Sequence, residues 1–552
     1  MKKYFLLALL FFALNVQADI LISGGNITDS SWSPSGGVYV VSGNANILQG
    51  STLNVEPGTI IKFTSGGSLS VYGSLVAHGT DADKIHFTSW ADDSLGGDTN
   101  GDGPTDGSIQ KWSGLYFAPE SIGDMENTVV QYGNLRGIWQ QGGTLSISNS
   151  MIGNNAFLGL SVENGTTTIS HSRISDNGQY GLNVVGQTKL TLDTDTFSGN
   201  ARTAFIEAGV DFIHVGNTSS DLSNRGFEIS GTPKDGVHWN SVDLPLIIYN
   251  GSIYVPSSST LNVEPGTVVK LGNVSNSGSI VVDGSLIAEG TSQSKIYFTS
   301  LKDDSVDGDT NGDGSATMPA SANWQALVFN SGSGVDFKNV VVKYGGASTE
   351  LPGLGETIYN SGNFTAENSF FGNNLSSGIY TDSGTTTISK SEFTAQPFGV
   401  RYRGGNLSLE NNNIHGNTVY GVYMESLSTV DARNNWWGSD TGPHDIGTST
   451  PSGTGDQLSG NILYTPWLTR DPTKAVNPVI IVPGILGSAE QDGVWRIDPI
   501  FHVYDNLVDT LLVNGYILDQ TLFTFPYDWR KSNVDTAVLL KTKIDSVKVI
   551  CG

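Results

Sequence analysis

The sequence predicts a mainly β protein: a parallel β-helix of two related units, followed by a partial α/β segment at the C-terminus. Three observations support this. A segment of about two hundred residues occurs twice, a period near 22 residues runs inside each copy, and the last 75 or so residues change to a strand–helix pattern. Composition agrees, because only 15% of the residues are charged while the β-branched and aromatic residues that suit strands are frequent.

The long repeat is visible as matching sequence. Ser51–Thr59 recurs as Ser259–Thr267, and Asp98–Gly103 recurs as Asp309–Gly314, at separations of 208 and 211 residues. We therefore expect a first β-helix unit with its N-terminal cap and connecting segment over 19–243 and a second unit over 244–463. A linker over 464–476 and a different C-terminal segment over 477–552 follow.

The short period marks the coils of a solenoid. Its apolar positions, 21 to 23 residues apart, are Ile152, Ile174 and Phe197 in the first unit and Phe371, Phe393 and Ile414 in the second. Stacked coils pair each strand with the next copy and bury a continuous core, which a lone coil cannot do. Asn155, Asn177 and Asn200 occupy the same turn of successive coils, where they can form a hydrogen-bonded ladder. An array of β-sandwiches is the alternative, with turns every 8–12 or so residues and no fixed period.

The N-terminus predicts secretion. Lys2 and Lys3 precede the apolar run Phe5–Val16, and Ala18 ends a site with small residues, as in a signal peptide over residues 1–18. A retained membrane anchor is the alternative, although the run is shorter than the ~20 apolar residues that span a bilayer. No later stretch is apolar enough to cross a membrane, so we expect a secreted, periplasmic or cell-surface protein.

The charge restricts the partners. A formal charge of −25 repels phosphate backbones, which argues against nucleic acid. Excess carboxylate suits solubility and calcium uptake outside the cell. Cys551 is the single cysteine, so no intrachain disulfide can form.

Two acidic loops are candidate calcium sites. Each places side-chain oxygens at alternate positions before a glycine, the first half of a calcium-loop pattern; the residues are Asp98, Asn100 and Asp102, with the copies Asp309, Asn311 and Asp313. The twelfth position holds Ile109 or Ala320 in place of the bidentate Glu, which excludes an EF-hand. The shells could be completed by Asp92 and Asp93, and by Asp303 and Asp304. A solvated acidic loop without metal is the alternative. We expect structural calcium and no organic cofactor.

Several of these motifs resemble a known module. Leu53–Thr59, Gly73–Thr80 and Lys84–Ser89 look like the right-handed parallel β-helix modules of bacterial surface proteins, and Ala432–Gly438 resembles the segment that ends such modules. Polysaccharide lyases share this fold and calcium use, but they need a basic residue beside the metal. The sole Arg or Lys in or next to either loop in sequence is Lys302, and the His residues are scattered. A lyase is therefore disfavoured.

Trp436 and Trp437 allow two interpretations. The pair could stack sugars, or it could cap the last coil, since the terminal coil of a solenoid must be closed. We favour the cap.

The C-terminal segment predicts an α/β unit. Pro478–Val482 is a fully apolar strand that ends in a Gly-rich turn, and a helix is expected over 503–514. A strand over Leu522–Phe525 and a helix from Val534 to about Val547 complete a strand–helix–strand–helix order with a parallel sheet.

This segment resembles the lecithin:cholesterol acyltransferase family. The resemblance rests on Pro478–Ser488 and Phe525–Arg530, and it implies an α/β-hydrolase domain that moves or hydrolyses lipid acyl groups with a Ser–Asp–His triad. It also implies that the backbone N–H of Ile485 is one oxyanion-hole donor. Tyr527–Arg530 matches a motif that we interpret as structural, with Asp528 and Arg530 paired.

The rest of the catalytic machinery is missing from the sequence. No Gly-x-Ser-x-Gly occurs in this segment, and about 75 residues cannot build such a sheet. We therefore expect an incomplete domain over 477–552 in a fragment of a longer protein, inactive as it stands. A decayed remnant folded on the β-helix is the alternative. The predicted partner is a lipid acyl ester or a surface glycan, the second for a non-catalytic adhesin or glycan-binding protein.

Overall fold

The structure is a computed structural model that describes residues 18–249, 251–272, 278–347, 355–446, 453–472, 478–513 and 516–551. The predicted signal peptide, apart from Ala18, and the end of the predicted linker lie outside these ranges. Within them, neither helix is both long and apolar enough to span a membrane.

Short strands are the main secondary structure, at 45% of the residues. The strands of the first unit are Ile20–Ile22 (β1), Gly25–Ile27 (β2), Ser30–Trp32 (β3), Tyr39–Val41 (β4), Asn44–Ile47 (β5), Thr52–Val55 (β6), Ile60–Phe63 (β7), Ser68–Val71 (β8), Ser74–His78 (β9), Ile85–Ser89 (β10), Leu115–Phe117 (β11), Ile122–Glu126 (β12), Thr128–Gln131 (β13), Arg136–Gln140 (β14), Thr144–Ser148 (β15), Met151–Gly153 (β16), Leu158–Val162 (β17), Gly165–Ser170 (β18), Arg173–Ser175 (β19), Tyr180–Val184 (β20), Thr188–Asp193 (β21), Thr196–Ser198 (β22), Arg202–Glu207 (β23), Asp211–Val215 (β24), Thr218–Ser220 (β25) and Ser223–Ser230 (β26). Two short 3-10 helices lie at Pro34–Gly36 and Gly107–Ile109.

The second unit continues in the same way. Its strands are Val237–Trp239 (β27), Leu246–Ile248 (β28), Ile253–Val255 (β29), Thr260–Val263 (β30), Val268–Leu271 (β31), Ile280–Val282 (β32), Ser285–Glu289 (β33), Ile296–Ser300 (β34), Leu327–Phe329 (β35), Gly334–Lys338 (β36), Val340–Lys343 (β37), Ile358–Asn360 (β38), Asn363–Glu367 (β39), Phe370–Gly372 (β40), Ser377–Thr381 (β41), Thr385–Ser389 (β42), Glu392–Thr394 (β43), Phe398–Tyr402 (β44), Asn406–Glu410 (β45), Asn413–Ile414 (β46), Tyr420–Met424 (β47), Thr429–Asp431 (β48), His444–Asp445 (β49), Gln457–Ser459 (β50) and Asn461–Leu463 (β51).

These strands form one parallel β-helix of about 17 coils. Every third strand of the first unit pairs in parallel, which gives sheet 1 (β1 to β25) and sheet 2 (β3 to β24). The second unit has sheet 3 (β27 to β51) and sheet 4 (β29 to β49). A shared sheet of 16 strands, from β2 through β26 and β28 to β46, runs through both units. The predicted fold class is confirmed.

The core is a stack of inward-facing apolar side chains. Ile152 pairs with Ile174 and Ile174 with Phe197 in exact Cα register, and all three are buried. Phe371, Phe393 and Ile414 stack in the same way in the second unit. The 22-residue period therefore arises because each coil returns the same apolar position to the same level of one core.

The predicted asparagine ladder is confirmed. Nδ2 of Asn155 donates to Oδ1 of Asn177 at 2.9 Å, and Nδ2 of Asn177 donates to Oδ1 of Asn200 at 2.8 Å. The last rung is an aspartate, since Nδ2 of Asn200 donates to Oδ1 of Asp221 at 2.8 Å. In the second unit, Asn417 likewise donates to Asp456 at 2.7 Å. A final rung only has to accept, which suits a carboxylate.

The strands of the second unit lie one sheet further around the β-helix than the first-unit strands of which they are copies. The copy of β7 in the second unit is β31; β7 belongs to sheet 1, whereas β31 belongs to the shared sheet. Similarly, β8 of the shared sheet has its copy, β32, in sheet 4. The shift arises at the junction, where the chain makes a single strand, β27, before it returns to the shared sheet; elsewhere it makes two. Phe227 of β26 then pairs with Leu246 of β28.

The C-terminal segment has the predicted strand and helix order. Its strands are Val479–Ile481 (β52), Ser488–Gln491 (β53), Val494–Ile497 (β54) and Leu522–Thr524 (β55), and its helices are Asp505–Val513 (α1) and Asn533–Cys551 (α2). Strands β52 and β55 pair in parallel, as expected of an α/β unit. The antiparallel hairpin of β53 and β54 was not predicted from the sequence.

Candidate functional site

The first acidic loop, residues 90–111, connects β10 to β11 and covers the outer surface of sheet 1. Its floor is made by Lys62 of β7 and Thr88 of β10, both fully buried. Nζ of Lys62 donates to the carbonyl of Gly97 at 2.7 Å and to Oγ1 of Thr99 at 3.1 Å. The hydroxyl of Thr88 donates to Asp92 at 2.6 Å. The loop is therefore fixed to the solenoid by buried polar contacts.

Three carboxylates of this loop converge. Asp93, Asp98 and Asp102 each place one oxygen within 4.8 Å of the other two. The two oxygens of Asp98 accept from the N–H groups of Gly101 and Gly103, at 2.6 and 3.0 Å, which shapes the turn. Oδ1 of Asp93 is buried without a hydrogen-bond partner among the described residues. The predicted residues Asp98 and Asp102 are thus brought together with Asp93.

Asn100 and Asp92 have other roles. The amide of Asn100 donates to Oδ2 of Asp102 at 2.8 Å, so it lies at the edge of the cluster. Asp92 is buried below the loop, where it accepts from Thr88, Ser94 and Gln131. Of the two carboxylates proposed to complete the shell, the structure brings Asp93 to it, and Asp92 helps to hold the loop.

The second acidic loop, residues 301–323, repeats this geometry on the shared sheet. Asp304, Asp309 and Asp313 form the cluster, again within 4.8 Å of one another. Nζ of the fully buried Lys270 donates to the carbonyls of Asp303 and Gly308, at 3.1 and 2.8 Å. Asn311 donates to Oδ2 of Asp313 at 2.8 Å, and Thr299 donates to Asp303 at 2.6 Å.

One contact distinguishes the second loop. Nη1 of Arg225, from β26 of the first unit, lies 2.9 Å from Oδ2 of Asp309, and the N–H of Arg225 donates to the carbonyl of Thr310 at 2.8 Å. The second loop therefore folds back over the junction between the units.

The electrostatics of the clusters reflect crowded charge. Burial, followed by the nearby charges of Asp309 and Asp313, raises the pKa of Asp304 above its ordinary value. Burial also lowers the pKa of Lys62 and of Lys270, although neighbouring carboxylates oppose this. A divalent cation would relieve the repulsion within each cluster.

The expectation that Lys302 is the sole basic residue beside the loops was wrong, since Lys111 ends the first loop and three other basic residues contact the loops in space. Lys62, Lys270 and Arg225 contact the loops in space, although they are 33 to 84 residues away in sequence from the loop residues that they touch. A signal was available, because a lysine stands in the middle of an otherwise apolar strand in both copies, Ile60–Phe63 and Val268–Leu271. The argument that a lyase would lack a base at this place no longer holds.

In the C-terminal segment, Ile485 lies in the turn after β52 and its side chain is 77% exposed. Asp528 and Arg530 form the predicted ion pair, with Nε to Oδ1 at 2.6 Å and Nη2 to Oδ2 at 2.9 Å. The hydroxyl of Ser488 donates to the carbonyl of Tyr527 at 2.6 Å, and Nε1 of Trp529 donates to the carbonyl of Ser488 at 3.1 Å. These contacts give the motif the structural role that we expected.

Trp437 is fully buried in the end of the core, so no sugar can stack on its ring. The carbonyl of Trp436 accepts from the N–H of Ile414 at 2.8 Å and extends the pairing of the last coils. The interpretation as a cap is confirmed for Trp437.

Comparison with known proteins agrees with the fold. The family model described as "Right handed beta helix region" matches residues 112–268 and 325–443, which is half of the chain. The chain belongs to the right-handed β-helix family. In this β-helix protein, each acidic loop lies outside the matched segments and ends just before one begins.

The C-terminal segment has a match of its own, since the lecithin:cholesterol acyltransferase family model matches residues 495–550. No curated protein matches the chain. Among solved structures, an alginate lyase from Paenibacillus sp. str. FPU-7 covers 76% of this chain and 99% of its own, at 12% identity and a TM-score of 0.14. A likeness this weak carries no argument about function.

Proposed function

We propose that this protein is a secreted β-helix scaffold that carries the start of a lipid acyl-transfer domain. The observation that carries the proposal is the match of residues 495–550 to the lecithin:cholesterol acyltransferase family, in a segment with a parallel strand pair and two helices. The β-helix then serves as a targeting or binding scaffold, and the acyl-transfer chemistry belongs to residues 478–551 and what completes their fold.

The placement of Ile485 supports this assignment. In α/β-hydrolases, a loop that leads from a strand of the sheet into a helix supplies one of the backbone N–H groups that stabilise the oxyanion. Ile485 lies in the turn after β52. Its N–H can act as a donor only when a nucleophilic serine and its base face it, and those groups are missing from the segment.

Exposed apolar residues support an incomplete domain. Helix α2 exposes Val534, Val538, Leu539 and Ile544, at 37% to 74%, and Ile485 and Phe501 are more than two-thirds exposed. Soluble proteins seldom expose so many large apolar side chains over one short segment. Further strands and helices of a hydrolase domain would cover them.

Hydrolysis of acyl esters tests the proposal. The 552-residue chain and a protein extended through the downstream coding sequence are compared on short- and long-chain esters. We expect turnover by the extended protein alone, and loss of turnover when the serine of its Gly-x-Ser-x-Gly is replaced by alanine. Turnover by the 552-residue chain, or an extended protein that is inert with an intact Gly-x-Ser-x-Gly, would contradict the proposal.

We further propose that each acidic loop binds one calcium ion as a structural element. Asp93, Asp98 and Asp102, with their counterparts in the second loop, supply hard oxygen ligands within reach of one ion. The duplication of this geometry, including the buried lysine beneath each loop, supports the proposal. So does the buried, unpartnered oxygen of Asp93 and of Asp304.

Melting with calcium and with chelator tests this site. If a site has a millimolar dissociation constant, as in extracellular modules, 5 mM calcium raises the free energy of unfolding by about 1 kcal/mol. A tenfold tighter site raises it by about 2 kcal/mol. The double replacement of Asp98 and Asp102 by Asn removes one of the two proposed sites, so it should remove about half of the stabilisation by calcium. Replacing the exposed Asp81 by Asn is the matched control. An unchanged melting temperature, with no heat of binding, would exclude the site.

A further inference from the structure

The junction between the two units contains a buried histidine. His214 lies on β24, the last strand of sheet 2, and its side chain is 2% exposed. Nδ1 of His214 lies 2.5 Å from Oδ1 of Asp243, which is equally buried on the connection to the second unit. The other ring nitrogen, Nε2, lies 3.2 Å from the carbonyl oxygen of Asn240 on the same connection.

Both ring nitrogens of His214 therefore face oxygens that only accept hydrogen bonds. A neutral imidazole carries one N–H and can satisfy one of these oxygens, whereas an imidazolium carries two and satisfies both. Phe212 stacks on the ring at 4.5 Å and Phe227 meets it edge-on at 4.9 Å, so water has little access. The adjoining cavity, of about 20 Å³, has room for one water molecule.

Asp243 is built to stay ionised. Its Oδ2 accepts from the N–H and the Nδ2 of Asn217, at 2.9 and 2.6 Å, and Oδ1 accepts from the N–H of Leu244 at 2.7 Å. Burial alone would raise the pKa of Asp243, but the hydrogen bond and charge of His214 and the donors of Asn217 hold it below its ordinary value.

Other charged groups surround this pair without bonding to the ring of His214, as far as the described residues show. His238 of β27 pairs with Glu264 at 2.5 Å, and its side chain is 62% exposed. Glu207, at the end of β23, accepts from the N–H of Gly186 at 2.7 Å. Asp195 lies in the neighbouring coil, and its N–H donates a hydrogen bond to Oδ1 of Asn217 at 2.9 Å.

We propose that protonated His214 is a latch that fastens the last coil of the first unit to the connection into the second. The latch is complete when Asp243 is ionised and the imidazole carries both protons. The contribution of Asp243 is lost as pH falls through its lowered pKa. When the ring carries a single proton, on Nδ1, Nε2 faces the carbonyl of Asn240 with no hydrogen to donate, and the connection around 236–246 loosens. The latch does not depend on the acyl-transfer proposal.

Hydrogen exchange of the full chain tests the latch. Peptides covering 208–220 and 236–246 are followed from pH 5 to pH 9 and corrected for the intrinsic rate. In the wild type we expect protection of 236–246 to fall by about fivefold or more between pH 5.5 and 8.5, the equivalent of one lost hydrogen bond. In His214→Gln, protection should be low and independent of pH.

Matched variants separate the latch from a general pH effect. His238→Gln removes a second histidine–carboxylate pair that is exposed, and it should leave the wild-type pH profile intact. Asp243→Asn keeps an acceptor but removes the charge, so it should make the protection of 236–246 independent of pH. This variant keeps the test decisive if His214→Gln fails to fold. Equal protection of the wild type at pH 5.5 and 8.5, or a profile abolished by His238→Gln, would overturn the proposal.

Discussion

Replacing Asp195 by asparagine should stabilise this protein at alkaline pH and change little at acidic pH. Asp195 belongs to a second polar ladder of the first unit: its Oδ1 accepts from the N–H of Ser172 at 2.8 Å, and its N–H donates to Oδ1 of Asn217 at 2.9 Å. Its Oδ2 is buried with no partner among the described residues. Burial raises the pKa of Asp195 to about 7. The carboxyl group is therefore neutral in the folded protein at pH 5.

The magnitude follows from proton linkage. An unfolded aspartate titrates near 3.9, and one pKa unit corresponds to about 1.4 kcal/mol. The stability contribution of a raised pKa is complete below the unfolded value and is lost as pH rises through the folded value. Above pH 7 the ionised side chain thus costs about 4 kcal/mol as an upper limit, and we expect Asp195→Asn to recover 2–4 kcal/mol at about pH 8.

The second unit provides the control. Asn412 occupies the same rung, accepts from the N–H of Ser391 at 2.9 Å, and donates through Nδ2 to the carbonyl of Ile388 at 2.9 Å. Asn412→Asp should therefore lose clearly more stability at pH 8 than at pH 5, where about a third of the linkage cost is already present. Guanidinium unfolding midpoints at the two pH values measure both variants. A shift in Asp195→Asn that is equal at both pH values would refute this reasoning.

Three further substitutions test other parts of the structure. Lys62→Met should raise the affinity of the first loop for calcium about threefold to tenfold, because a nearby positive charge is removed, and an unchanged binding isotherm would contradict this. Trp324→Ala should destabilise the protein by about 3–5 kcal/mol, since the ring is fully buried and donates to the carbonyl of Lys343 at 2.7 Å; thermal melting decides it. Ser488→Ala should remove the hydrogen bonds to Tyr527, at about 1–2 kcal/mol, and speed hydrogen exchange over 522–530 while the β-helix is unaffected.

Much of the solenoid could be predicted because its pattern is local. The apolar positions that repeat in the sequence are the ones that stack in the core: Ile152, Ile174 and Phe197. The sequence period therefore predicts the core positions directly. The ladder of Asn155, Asn177 and Asn200 follows for the same reason. Helix α2 was predicted from its apolar spacing.

Other features depend on contacts between residues that are far apart in the sequence. The matching repeats do not reveal that the second unit is shifted by one face, because the shift is set where the units meet: β28, the copy of β4, pairs with β26 of the shared sheet. Lys62 contacts Gly97, which lies 35 residues later in the sequence, so the sequence of the loop alone does not predict this contact. The hairpin of β53 and β54 did have a sequence signal, the dipeptide Asp492-Gly493, which favours a two-residue hairpin turn. Both residues have positive φ there, at 55° and 78°.

The central claim is that residues 478–551 begin an acyl-transfer domain carried by a β-helix, and active-site labelling with a fluorophosphonate tests it most directly. Such a probe forms a covalent bond with an activated serine. We expect one label on each chain of the protein extended through the downstream coding sequence. The label should be lost when the serine of its Gly-x-Ser-x-Gly is replaced by alanine, and the 552-residue chain should stay unlabelled. An extended protein that folds with that motif intact and takes no label would contradict the claim, as would a labelled 552-residue chain.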